Sequence, residues 1–297
     1  MRIRPFEYFA ASSLSDALEK LAHYGPEARV LAGGTDLVLA MKEKQILPRR
    51  VISLHKIKEL DFVRQEDATV RIGGLARHAD LAMNTTLNES FPLLCEAVGL
   101  IGSWQIRNVA TIGGNLCTAS PAADSAPPLL VLNARVVVAD VEGENEIPLG
   151  SFFTGPGETV LKPNQLLKEI LIDRPKARSV GCYLKLMRKK AVDLSVVGVA
   201  FQAEVDQKGE KLTRVGIGLG GVAPTPIRAT EAEARLTGLS YEEAFKGIPE
   251  AARAAVDATA PISDVRASAD YRRAMVEVYV QRAAKKVLNQ LYGGVGV

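Results

Sequence analysis

Val30-Leu31-Ala32-Gly33-Gly34-Thr35-Asp36-Leu37 and Thr111-Ile112-Gly113-Gly114-Asn115 are the two stretches on which the fold turns. In the first, an apolar strand over 28–32 runs into a glycine pair and then into a helix expected over 37–44. Paired glycines permit positive φ and gather backbone N–H groups with no side chain in front of them. Such N–H groups at a helix start attract phosphate, and Thr35 adds a hydroxyl donor. The same pair also suits a plain tight turn.

The second stretch is read in the same way, as a short apolar strand followed by a glycine pair. Downstream lies a run of small residues over 117–126, including Ala119-Ser120-Pro121 and the carboxylate of Asp124. Asp124 is suited to accept hydrogen bonds from sugar hydroxyls. It is equally suited to cap a helix beginning near Ser125-Ala126-Pro127. Two phosphate-suited loops in one lobe pair imply an elongated ligand, such as a dinucleotide, held between them.

Around these motifs the chain divides. Residues 1–60 alternate strand, helix, strand, loop, helix and strand, which is an α/β lobe. Ser13 with Asp16 resembles a capping box, Leu14, Ala17, Leu18 and Leu21 share one face, and Gly25-Pro26 ends the helix. Residues 61–175 form a second lobe, with a strand at 69–73, short strands or helix edges at 147–149 and 166–172, and helices at 79–83 and 91–102. Within it, 129–139 turns from helix to strand. A joint at Arg174-Pro175-Lys176-Ala177 precedes a second domain, 176–297. Strands at 183–187, 196–205 and 212–219 form an antiparallel meander, with Gly209 in a turn. Helices follow at 229–236, 241–245, 250–258 and 271–291.

A third glycine cluster, Gly216-Ile217-Gly218-Leu219-Gly220-Gly221, has G-x-G-x-x-G spacing. The proline-rich Val222-Ala223-Pro224-Thr225-Pro226 follows it and cannot open the required helix, so the dinucleotide reading is rejected there. Gly73-Gly74 reads as a strand-end turn. His55 and His78 follow strands in the lobes that carry the glycine loops. No HxxxH or HExxH pair, no GxSxG elbow and no nucleophile–base pair is present, which favours a carrier of an organic cofactor.

Composition narrows the class. Net charge is +3, from 37 basic and 34 acidic residues, which gives no case for nucleic acid. Cys95, Cys117 and Cys182 are scattered, cannot supply a four-ligand cluster, and read as buried apolar residues in a reducing compartment. The N-terminus has no signal-peptide core, and no apolar run is long enough to span a bilayer. The expectation is a soluble, cytoplasmic protein.

LAGGTDL at 31–37, IRNVATIGGN at 106–115, ASPAAD at 119–124 and GLGGVAPTPIRA at 218–229 resemble, in order and along essentially the whole chain, the FAD-binding medium subunit of the xanthine dehydrogenase and carbon monoxide dehydrogenase family. The resemblance implies an α+β fold. It has a two-lobed FAD-binding domain of the vanillyl-alcohol-oxidase and xanthine-dehydrogenase type, then a C-terminal domain of antiparallel sheet and helices. It also implies that Val30, Leu31, Ala32, Gly33, Gly34, Thr35, Asp36 and Leu37 wrap the FAD pyrophosphate. Thr111, Gly113, Gly114 and Asn115 would line the second phosphate and the isoalloxazine side, and Asp124 would hold sugar or ribityl hydroxyls. Leu167 would touch the adenine or flavin edge. Lys185 would approach the flavin, where an exposed strand lysine is the alternative. Ile101 stands where xanthine dehydrogenases place an aromatic. The cysteine-bearing insertion of 4-hydroxybenzoyl-CoA reductase medium subunits is absent, so no cluster is expected in this chain.

The function so implied is electron transfer. Non-covalent FAD would relay electrons from two-iron clusters on a small iron–sulfur subunit to an external acceptor. A large subunit would bear the molybdenum cofactor and oxidise the substrate, the whole being a dimer of heterotrimers. A self-contained flavin oxidase of the vanillyl-alcohol-oxidase type is the alternative, and a module that lost its flavin is a third reading.

Overall fold

Ser13 starts the first helix by accepting a hydrogen bond from the Asp16 N–H at 3.1 Å. Asp16 reaches back to the Ser12 N–H at 2.9 Å, one residue earlier than a capping box requires. The computed structural model describes residues 3–189 and 192–293. Its first lobe comprises β1 (Glu7–Ala10), α1 (Leu14–Tyr24), β2 (Ala28–Leu31), α2 (Leu37–Lys42) and β3 (Arg50–Ser53). Ala17, Leu18 and Leu21 of α1 are buried, and Gly25 at φ 47° ends the helix. The three strands form a parallel sheet in the order β1-β3-β2. The strand–helix alternation expected over 1–60 is therefore present, with β2, α2 and β3 starting where expected and ending one or two residues earlier.

The second lobe runs through β4 (Val63–Glu66), β5 (Thr69–Gly73), α3 (His78–Ala82), α4 (Thr85–Ser90), α5 (Pro92–Gly99), α6 (Trp104–Arg107), α7 (Ile112–Thr118) and α8 (Ala126–Val131). It continues with β6 (Arg135–Asp140), β7 (Gly143–Pro148), β8 (Phe153–Gly155), β9 (Glu158–Thr159) and β10 (Leu166–Asp173). Five of these strands form an antiparallel sheet in the order β4-β5-β10-β6-β7. Two expectations change. The strand anticipated before Gly113 does not form; one bridge, between Arg77 and Thr111, is all that pairs there. Thr111 instead caps α7, its hydroxyl oxygen accepting from the Gly114 N–H at 3.1 Å, so the glycine pair lies inside a helix. Phe91, at φ −142° and ψ 57°, separates α4 from α5, and α4 had no counterpart in the sequence reading.

The last third holds β11 (Ser179–Leu186), β12 (Val197–Val205), β13 (Leu212–Gly220), β14 (Ile227–Arg228), α9 (Thr230–Leu236), α10 (Tyr241–Asp257) and α11 (Ala269–Leu291). The strands form the expected antiparallel meander, β11-β12-β13-β14, with Gly209 at φ 73° in its turn. The two helices expected on either side of Pro249 are one. Proline costs one N–H bond and crowds the preceding turn. The Ser240–Glu243 capping box and an unbroken buried face of Ala244, Ile248, Ala251, Ala252 and Ala255 outweigh that cost.

The rejected glycine cluster has a packing role. Gly216, Gly218 and Gly220 alternate along β13, so they share one face of the sheet. That face receives α8 of the second lobe. A Cβ on Gly218 would lie 2.5 Å from the Pro127 carbonyl oxygen, and one on Gly216 would lie 2.9 Å from Val131 Cβ. Only strand glycines allow a helix backbone this close. The Gly221 N–H also donates to the Pro121 carbonyl at 2.7 Å, which ties the sheet to the chain just before α8. We expect Gly218→Ala to lower stability by about 1–3 kcal/mol through overpacking, read as a lower denaturant midpoint of the full chain. An unchanged midpoint would contradict this seam.

Candidate cofactor site

β2 delivers the first loop and α2 carries the chain away from it. Between them Gly34 adopts φ 78°. Among the described residues, the N–H groups of Gly33, Gly34, Thr35 and Asp36 have no protein acceptor. Four successive unpaired N–H groups at a strand-to-helix turn make a site for an anion. The Thr35 hydroxyl is turned to the Asp36 carboxylate at 3.3 Å and so does not add to the nest. Asp36 is exposed and makes no side-chain cap, while Leu37 and Val30 are half-buried supports on either side.

Close backbone approach sets the loops side by side. A Cβ on Gly33 would fall on the Val109 carbonyl and lie 2.9 Å from Ala110 Cα. One on Gly113 would lie 2.6 Å from the Gly74 carbonyl oxygen, and one on Gly74 would lie 2.7 Å from that of Leu167. Gly73-Gly74 is therefore a seat for α7 as well as a turn. A Cβ on Gly114 would stand 3.9 Å from Ala32 Cβ, which places the start of α7 beside the first loop; Leu31 and Ala32 are half-buried there.

The second motif contributes differently from the first. The Ile112 N–H donates to Ala76 at 3.0 Å, that of Gly113 to Gly74 at 3.0 Å, and that of Gly114 to Thr111 Oγ1 at 3.1 Å. The N–H groups of Ile112, Gly113 and Gly114 are therefore occupied within the protein, and those of Gly113 and Gly114 are not free as the first loop's are. The motif packs instead. Asn115 accepts from Ser125 Oγ at 2.6 Å through its Oδ1 and leaves its amide N–H groups without a protein partner among the described residues.

Asp124 corrects another expectation. It neither caps α8 nor offers a free oxygen. Its Oδ1 accepts from Tyr183 Oη at 2.7 Å and Ser195 Oγ at 2.5 Å, and its Oδ2 from Lys185 Nζ at 2.8 Å. Lys185 is no exposed strand lysine: its side chain is 1% exposed, and Nζ also donates to the Leu100 carbonyl at 3.0 Å. Burial, with Asp124 beside it, pushes the Tyr183 phenol well above its usual range. Leu167 lies in the core, 5% exposed, so its share of the site is its backbone behind Gly74. Ile101 sits half-buried in the turn after α5, where Arg107 Nη1 donates to its carbonyl at 2.8 Å and to that of Gly102 at 3.2 Å.

Sequence reasoning missed Tyr183, Ser195 and Arg107, and it noted His78 only as following a strand. Tyr183 and Lys185, two apart on a strand, carried the one available signal: they share a face. His55 is exposed, with Nδ1 2.9 Å from Ser53 Oγ. His78 is fully buried and neither ring nitrogen has a partner among the described residues. Burial, helped by the Arg107 guanidinium, pushes its imidazole from 6.5 down to about 4. The unfolded chain therefore binds a proton that the folded chain refuses between those values. The stabilisation is complete above pH 6.5 and is lost as pH falls towards 4, by roughly 3 kcal/mol in all. We expect His78→Phe to flatten the fall in unfolding free energy across that window in urea titrations, whereas an unaltered slope would contradict it.

The residues fit a flavin dinucleotide: an unpaired N–H nest for a pyrophosphate, a free amide at Asn115, and a buried ammonium with one donor to spare. The family described as the FAD binding domain in molybdopterin dehydrogenase matches residues 4–175, and the CO dehydrogenase flavoprotein C-terminal domain matches 182–287. The nicotinate dehydrogenase FAD-subunit of Eubacterium barkeri is 32% identical over 98% of this chain and 99% of its own. The xanthine dehydrogenase FAD-binding subunit of Escherichia coli O157:H7 is 31% identical over 97% of both. A solved chain of carbon monoxide dehydrogenase from Hydrogenophaga pseudoflava superposes with a TM-score of 0.92 at 33% identity, covering 97% of this chain and 98% of that one. The chain belongs to the molybdopterin dehydrogenase FAD-binding family, as an FAD-binding subunit of an oxidoreductase.

Proposed function

We propose that this chain is the electron-carrying FAD subunit of a molybdenum hydroxylase, and that it binds its flavin non-covalently. The observation that carries this reading is the run of four unpaired N–H groups at Gly33–Asp36, set against α7 of the second lobe. The redox chemistry is the flavin's: electrons from two-iron clusters of a small iron–sulfur subunit reach an external acceptor by way of it. A large molybdopterin subunit oxidises the substrate, and the assembly is a dimer of heterotrimers. The names of relatives support a role within such complexes, among them a carbon monoxide dehydrogenase medium chain and subunit alpha of a 6-hydroxypseudooxynicotine dehydrogenase complex.

This chain's own residues do the binding. Gly33, Gly34, Thr35 and Asp36 donate to the pyrophosphate, and Gly114 lets α7 approach from the other side. The Asn115 amide and the spare Lys185 N–H are donors for the remaining polar atoms of the cofactor, and Lys185 favours negative charge near it. Asp124 acts through Lys185. Residues 1–175 serve as the flavin domain, in lobes of about 1–60 and 61–175, and 176–297 as the C-terminal domain. No described helix is long and apolar enough to cross a membrane, and we place the assembly in the cytoplasm.

The visible spectrum of the purified chain, followed by heat release and chromatography, tests the reading. We expect free FAD and no iron absorbance. A colourless protein that takes up no added FAD would overturn it, and flavin that stays attached after denaturation would favour the self-contained oxidase. Gly33→Val, which meets the Val109 backbone, and Gly114→Val, which meets Thr111 Oγ1 at 2.9 Å, should each lose FAD on gel filtration. Retention as in the parent chain would count against the site.

A further inference from the structure

A circuit of contacts returns on itself around the first loop. Gly33 lies on the Val109 carbonyl. Two residues earlier, Arg107 holds the Ile101 and Gly102 carbonyls. The adjoining Leu100 carbonyl accepts from Lys185, and Lys185 pairs with Asp124. Ser125, next to Asp124, donates to Asn115, and Gly114 before it faces Ala32. Every member of this circuit belongs to the flavin domain except Lys185, which comes from β11.

Lys185 therefore has to be placed accurately by something outside the flavin domain, and the placement is visible. Oδ1 of Asp124 is taken by two hydroxyls from the C-terminal domain, Tyr183 at 2.7 Å and Ser195 at 2.5 Å. That leaves Oδ2 for the ammonium, at 2.8 Å. Tyr183 is itself fixed at both ends. Its N–H donates to Glu96 Oε2 at 3.0 Å, and its ring tip lies over Gly198, where a Cβ would collide with it. Of the three ammonium protons, two go to Asp124 and Leu100, and the third has no acceptor among the described residues.

We propose that Tyr183 and Ser195 are positioning residues of the flavin site: by holding one oxygen of Asp124 they fix the Asp124–Lys185 pair and the Leu100–Gly102 turn, so the C-terminal domain completes the site. This rests on the FAD reading above and adds two residues to it. A carboxylate stripped of these donors is free to turn, and the ammonium it holds then loses its place. Charge-assisted hydrogen bonds are the strong class, so the effect is expected to be measurable in binding.

The test uses the full chain and two readouts, the FAD dissociation constant from flavin fluorescence and the midpoint potential of the bound flavin. For Tyr183→Phe combined with Ser195→Ala we expect affinity to fall about tenfold or more, with a shifted potential. Ser195→Thr, which keeps a hydroxyl, should retain affinity close to that of the parent in the Tyr183→Phe background. If the double variant only unfolds earlier, with dissociation constant and potential unchanged, the two hydroxyls are structural and the proposal fails. If the double variant does not fold, each single variant is read in the same way, and unchanged affinity and potential in both overturns the proposal. If the parent chain itself binds no FAD, the functional reading fails instead, which keeps the two failures distinct.

Discussion

Backbone lying directly on backbone is the constraint on which the rest depends. Gly74 rests on the Leu167 and Lys168 carbonyls, Gly113 rests on Gly74, and Gly33 rests on Val109 and Ala110. No residue with a side chain fits at these approaches, because the obstructing atoms are main-chain and cannot rotate away. The result is a stack from β10 through the end of β5 to the start of α7. The first loop is laid against the segment leading into that helix. The N–H groups at Gly33–Asp36 stay without an acceptor among the described residues because the loop is held by its neighbours and not by its own hydrogen bonds.

Most buried charge is paired: Glu169 with Arg71, Glu233 with Arg228 and Arg272 with Asp264, besides Asp124 with Lys185. Placing Asp124 and Lys185 together out of water is costly unless every oxygen and most protons are engaged, and here both carboxylate oxygens are. The partners come from β11 and from the chain before β12, so the pair also clamps the two domains together. Close by, the β13 glycines admit α8, and Arg272 of α11 donates to the Val196 and Gly221 carbonyls at 2.7 and 2.8 Å. A rigid seam beneath the site follows from these contacts. His78 shows the opposite treatment: a buried imidazole with no partner among the described residues, its pKa pushed down by burial and by Arg107.

Much of this was legible in the chain. The alternating first lobe, the central strands of the second, the meander and the terminal helices follow from periodicity, whereas β4 does not, and the first glycine pair marked a turn whose N–H groups have no acceptor among the described residues. What escaped was long-range. Val109-Ala110 has strand composition, yet Thr111 finds the Gly114 N–H and starts a helix instead. Asp124 looked like a cap or a sugar ligand because its three partners lie 59 to 71 residues away in the sequence. Pro249 looked like a break because the buried alanine face that carries α10 through it is a property of tertiary packing. Conversely, the role of the β13 glycines under α8 was visible only in the fold.

Calorimetric titration of the full chain with FAD, FMN and riboflavin reaches the central claim most directly. If the glycine loop holds a pyrophosphate, FAD binds most tightly and riboflavin, which has no phosphate, is weaker by roughly tenfold or more. Equal affinity for all three, or no binding of FAD, would contradict the account.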